Sequence, residues 1–154
     1  MLNPGVMLSV LSLLHPAQVE TSHVQVGAWR ISRSLDKFTG DLSCRAGNGR
    51  MKLEGQALVI DFGPRADTDG AVYKIDEQAA RPARGDAFNA QYHLRYVIDA
   101  PLDNPSAGRV ALSAAELSGG RSLWIRVGSS SEPKRFDVSG VDRVMAAEAD
   151  LGCP

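Results

Sequence analysis

Acidic residues crowd one short stretch of this chain, where Asp67, Asp69 and Asp76 surround Gly70 in the run beginning at Arg65. A calcium loop takes oxygen ligands from positions one, three, five and twelve, with glycine at six for the sharp turn. Asp67, Asp69, Gly70 and Asp76 match positions three, five, six and twelve. Position one is Arg65, whose cation repels calcium, and the flanking residues read as strand rather than helix. An Asp-Gly hairpin turn accounts for the same residues more simply. No bound metal or other cofactor is expected.

A second arrangement would pair Cys44 with His93. A thiol acts as a nucleophile only with a depressed pKa and a base within hydrogen-bond reach. Nothing around Cys44, in Ser43-Cys44-Arg45-Ala46, has the form of an activated site, and His93 falls at an outward strand position. His15, His23 and His93 are too scattered for paired zinc ligands. The run Gly128 to Ser131 lacks the lysine of a phosphate loop, and no nucleophile elbow occurs. The chain therefore reads as non-enzymatic, with a small cysteine-dependent enzyme using Cys44 and His93 as the alternative.

Cys44 and Cys153 are better read as partners of each other, since two cysteines allow one intramolecular bond. Closing a loop of about 100 residues stabilises a domain by roughly 4 to 5 kcal/mol in the chain-entropy model. Such a bond belongs to an oxidising compartment. The N-terminus agrees: Val6 to Leu14 is an apolar run with the length of a signal-peptide core, far short of a membrane span, and Ala17 is a candidate cleavage position. No Lys or Arg precedes Arg30, so the usual basic flank is absent. Residues 1–24 are assigned to a signal peptide or N-terminal extension and 25–154 to one β-rich domain, periplasmic or secreted.

With 17 basic and 18 acidic residues spread along 154 positions, the net charge is −1. There is no basic stripe to track nucleic acid. A protein or an envelope component is the expected partner class.

The elements that would position these residues are mostly strands. Trp29 and Ile31, then Leu58, Ile60 and Phe62, then Tyr92, Leu94, Tyr96 and Ile98, then Leu123, Ile125 and Val127, and finally Phe136 and Val138, occur at alternate positions. A period of two marks half-buried strands. Gly47-Asn48-Gly49 fits a hairpin turn before Met51. Ser113 and Glu116 have capping-box spacing for a short helix. Ser139 and Asp142 repeat it before a C-terminal helix whose inner face is Val141, Val144, Met145 and Ala149, ending at Gly152. The expected fold is an antiparallel β-sandwich or curled sheet with one short internal helix and a C-terminal helix that delivers Cys153 to Cys44.

On the outward faces, alternation places Trp124 beside Arg126, with Arg95 on a further strand. Trp and Arg anchor interfaces, so these three form a candidate recognition patch; burial of Trp124 under the other sheet is the competing placement. The segment 77–89 has no period and reads as a loop or crossover. It supports a further alternative, an inhibitor of an extracellular hydrolase that inserts this loop into a cleft.

The order of Trp29 and Ile31, Cys44, Leu58 to Phe62, Tyr73 to Asp76, Ser113 to Leu117, Arg121 to Arg126 and Phe136 to Gly140 resembles small exported proteobacterial proteins of the invasion-associated locus B type. The resemblance spans residues 25–153, although this chain has no cysteine between Cys44 and Cys153. It implies an envelope or secreted accessory role and no catalytic residues.

Overall fold

The computed structural model describes residues 18–68, 70–83, 108–128 and 132–154. In chain order the strands are β1 (Val19–Val26), β2 (Trp29–Asp36), β3 (Leu42–Asn48), β4 (Met51–Glu54), β5 (Ala57–Asp61), β6 (Val72–Ile75), β7 (Arg81–Pro82), β8 (Arg109–Ser113), β9 (Ser122–Arg126) and β10 (Lys134–Asp137). One helix, α1 (Val141–Asp150), follows. The fold is mainly β, with two antiparallel sheets. One has the order β1-β2-β3-β4-β5-β8 and the other β10-β9-β6-β7.

Alternation explains the packing. Trp29, Ile31, Leu53, Leu58, Ile60, Val110 and Leu112 project from the larger sheet and meet Tyr73, Ile75, Leu123 and Ile125 from the smaller one. Phe62, just after β5, meets Phe136 of β10 edge to face, with ring centres 5.9 Å apart. The helix adds buried Val141 and Val144 to the same core. Its hydroxyl and carboxylate neighbours do not cap it: Gly140 occupies the N-cap with no side-chain bond, and Ser139 is bonded to Asp137 instead. Asp142 reaches away to accept the Gly119 N–H at 3.0 Å.

The inner face of α1 also differs from expectation. Ala149 is exposed, and Glu148 takes the half-buried inward place. Glu148 lies seven residues after Val141 and so returns almost to the same helical azimuth. Burial there pushes its carboxyl above the ordinary value.

The expected short helix is a single 3-10 turn, Ala114–Leu117, and Ser113 does not cap it. Glu116 instead accepts a hydrogen bond from the Tyr73 hydroxyl at 2.7 Å and pairs with Arg81 at 3.3 Å. Arg81 also stands over the Tyr73 ring, 5.0 Å from its centre. The carboxylate therefore ties the 3-10 turn to β6 and β7 rather than closing its own helix end.

Two boundaries shift as well. The larger sheet starts at Val19, ahead of residue 25, so β1 includes residues expected in the N-terminal extension. The hairpin after β3 turns at Gly49 and Arg50, because β3 continues through Asn48 to pair with Met51.

Candidate recognition face

Strands β6 and β9 of the smaller sheet send alternate side chains away from the core. Leu123 and Ile125 are fully buried, so Trp124 and Arg126 of β9 point outward. Tyr73 and Ile75 point inward on β6, leaving Val72 and Lys74 outside. Register then sets neighbours. Lys74 and Arg135 flank Trp124 from β6 and β10, and Val72 lies opposite Arg126. Trp124 thus faces away from the larger sheet and is half-buried among its own surface neighbours.

Val72, Lys74, Trp124 and Arg126 border a cleft of about 210 Å³. Its apolar lining comes from Val72, Ala80, Trp124 and Pro133, and Lys74 and Arg126 supply its cations. Among the described residues, neither the Lys74 nor the Arg126 side chain makes a hydrogen bond or ion pair. The Arg135 Nε donates to the Ser122 hydroxyl at 3.0 Å. Among the described residues, Asp76 and Asp137 lie in the next row, at the Ser122 end, and are engaged locally, and exposed Glu132 precedes the cleft-lining Pro133. Asp76 accepts from the Arg121 and Ser122 N–H groups at 3.2 and 2.8 Å. The Asp137 carboxylate accepts from the Ser139 hydroxyl at 2.6 Å, and this bond, with the Ser139 N–H, holds its pKa below the ordinary value.

Two of the three residues expected in the patch, Trp124 and Arg126, therefore stand together, and Arg95 lies outside the described residues. Lys74 and Arg135 escaped the sequence reading because membership depends on which strands pair. Lys74 already showed the right alternation within Val72 to Ile75; only its pairing with β9 was hidden.

The remaining candidates fall elsewhere. Cys44 is bonded to Cys153 with a Cα–Cα distance of 5.7 Å, inside the usual range for a disulfide. While this bond stands Cys44 carries no thiol, and His93 lies outside the described residues. The stretch 62–71 is not a hairpin. It joins β5 in one sheet to β6 in the other, where Thr68 is buried with its hydroxyl on the Arg109 carbonyl at 3.0 Å. Asp67 belongs to this crossover, Asp69 lies outside the described residues, and the Asp76 oxygens serve the backbone of residues 121 and 122. Among the described residues no three metal-ligating side chains cluster. Of the segment 77–89, Arg81–Pro82 forms a strand paired with β6, and residues 84–89 lie outside the described residues.

A second depression, about 100 Å³, lies on the outer face of the larger sheet between Arg50, Lys52, Arg109, Glu54 and Asp61. Its charges are of both signs, in contrast to the cationic cleft beside Trp124. No helix among the described residues is long and apolar enough to cross a membrane. Comparison with protein-family models, with curated proteins and with solved structures finds no match to this chain.

Proposed function

We propose that this protein is an exported, non-enzymatic β-domain that binds another protein or an envelope component through the outer face of its smaller sheet. The observation that carries the reading is Trp124, turned outward beside two cations without partners among the described residues. An indole offers large contact area at small entropic loss, and arginine adds directional donors, so such pairs supply much of the energy of an interface. The disulfide is compatible with export. Cleavage after Ala17 would leave β1 whole, since that strand begins at Val19.

Photo-crosslinking in the native cell tests the binding face. A benzophenone amino acid at position 124 is expected to trap a discrete adduct that the same group at Lys52, on the outer face of the other sheet, does not. Equal trapping at both positions, or none at 124, would remove the proposal. Intact mass before and after reduction tests export. A shortened chain that is alkylated only after reduction is expected, and a full-length chain with free thiols would contradict it.

A further inference from the structure

We infer that the cleft beside Trp124 receives an acidic peptide segment of the partner, specifically a large apolar side chain with a carboxylate two residues away. The inference rests on the proposed binding face and adds the chemistry of what it binds.

Size sets the first constraint. A cleft of about 210 Å³ is room for one aromatic or long aliphatic side chain. The apolar lining from Val72, Ala80, Trp124 and Pro133 suits that side chain.

Charge sets the second. Lys74 and Arg126 line the cleft and Arg135 flanks the indole from β10, while Asp76 and Asp137 are bound to their own loops one row away and Glu132 lies exposed next to Pro133. Among the described residues that line the cleft none is acidic, so a partner's carboxylate would meet Lys74 and Arg126 there, which fixes register and speeds encounter.

Spacing sets the third. Lys74 and Arg126 are diagonal neighbours on paired strands, an arrangement that puts Cα atoms about 7–8 Å apart. In an extended chain, residues i and i+2 share a face and lie about 7 Å apart. Residues i−2 and i+2 lie about 14 Å apart, wider than that separation, so an apolar residue seated in the cleft brings one of its second neighbours, not both, toward the cations. Acidic motifs presented to basic surfaces are a recurrent mode of peptide recognition.

The test uses the full chain and two blocked pentapeptides, Glu-Ser-Phe-Ser-Glu and Lys-Ser-Phe-Ser-Lys, with the Trp124 indole N–H resonance as readout. Trp29 is buried and serves as the internal control. The acidic peptide is expected to bind at least about tenfold more tightly than the basic one, and to weaken severalfold as salt rises and screens the cations. The double variant Lys74→Glu/Arg126→Glu should reverse the preference. Both positions are on the surface, so an unchanged melting temperature confirms that the variant is folded.

Equal affinity for the two peptides, no shift of Trp124, or an unreversed preference would overturn the inference. So would phenylpropionate binding as tightly as the acidic peptide, because the site would then belong to a small amphipathic anion. A crosslink at position 124 together with failure of the acidic peptide would sink this inference and leave the binding face standing. Absence of the crosslink would remove the binding face itself.

Discussion

Arg33 of β2 and Cys44 of β3 are register partners on the inward side of the larger sheet, and both hold the same end of α1. Cys44 is bonded to Cys153, and the Arg33 Nε donates to the Leu151 carbonyl at 3.2 Å. The helix end is shaped to meet them. The Cys153 N–H bonds the Glu148 carbonyl at 2.9 Å and the Gly152 N–H bonds the Ala149 carbonyl at 3.0 Å. Together with Gly152 at φ 71°, these bonds form a Schellman turn. That turn reverses the chain and presents the sulfur of Cys153 to the sheet.

Removing the covalent half of this clamp should be costly. Cys44→Ser/Cys153→Ser is expected to lose roughly 4 kcal/mol by the loop-entropy relation, equivalent to a melting temperature lower by about 10–15 °C. Calorimetry of the oxidised protein and the double variant checks this. A fall of only a degree or two would mean that packing of Val141 and Val144 holds the helix by itself.

The polar half should matter most when the bond is gone. Arg33→Ala is expected to cost less in the oxidised protein than in the Cys44→Ser/Cys153→Ser background, where the loss should approach about 1 kcal/mol. A double-mutant cycle by urea denaturation reads the difference. Strict additivity would show that the two contacts act independently.

Glu148 gives a pH dependence with a definite sign. Burial raises its carboxyl above the ordinary value of 4.5, so the native state keeps a proton that the unfolded chain has released. This group's contribution is fully present below 4.5 and is lost as pH rises through the higher folded-state value. Glu148→Gln should therefore be more stable than the parent at pH 7, with an advantage that shrinks on acidification. Urea midpoints measured across pH 4 to 7 decide it, and a constant difference would refute the assignment.

Gly108 is a position where any side chain is excluded. Its φ is +69°, and an added Cβ would overlap the Gly63 carbonyl. The Phe62 N–H also bonds the Gly108 carbonyl at 2.8 Å, so neither strand end can retreat freely. Gly108→Ala is expected to destabilise by about 3 kcal/mol or more. Gly40→Ala has no atom near its Cβ and a φ of +79°, so it isolates the backbone strain for comparison.

Tyr73→Phe removes the hydroxyl donor from Glu116 while preserving the ring in the core. A loss of about 1–2 kcal/mol is expected, since the bond joins a buried ring to a charged acceptor. Far-UV spectra should be unchanged, and thermal melting reads the shift. A neutral result would mean that Arg81 alone satisfies the carboxylate.

Much of this fold is legible from alternation alone. Ile31, Leu58, Ile60, Leu123 and Ile125 face the core at the parity their spacing required. Val59 is buried as well, although alternation predicts an outward residue there. The misread signals share one cause. Ser113 and Glu116 have the spacing of a local cap, yet Glu116 bonds a tyrosine 43 positions away. Asp67, Asp69 and Gly70 have the composition of a hairpin turn, but the strands they connect belong to different sheets. Local patterns announce what a side chain could do nearby and are silent about a better partner brought in by tertiary folding. The candidate face follows the same rule: Trp124 and Arg126 share a strand and are legible, whereas Lys74 and Arg135 join them only through pairing.

The bond between Cys44 and Cys153 also sets how the molecule carries load. The two cysteines are 109 positions apart, and everything from β4 to α1 lies inside the covalent ring they close. Tension applied between the two chain ends runs through β1, β2 and the first part of β3, then passes directly into Cys153. The smaller sheet, with Trp124 and its cleft, is bypassed. Pulled from its ends, the oxidised domain would shed its first hairpin and keep its candidate binding face unstretched, whereas the reduced domain would expose every strand to the same force.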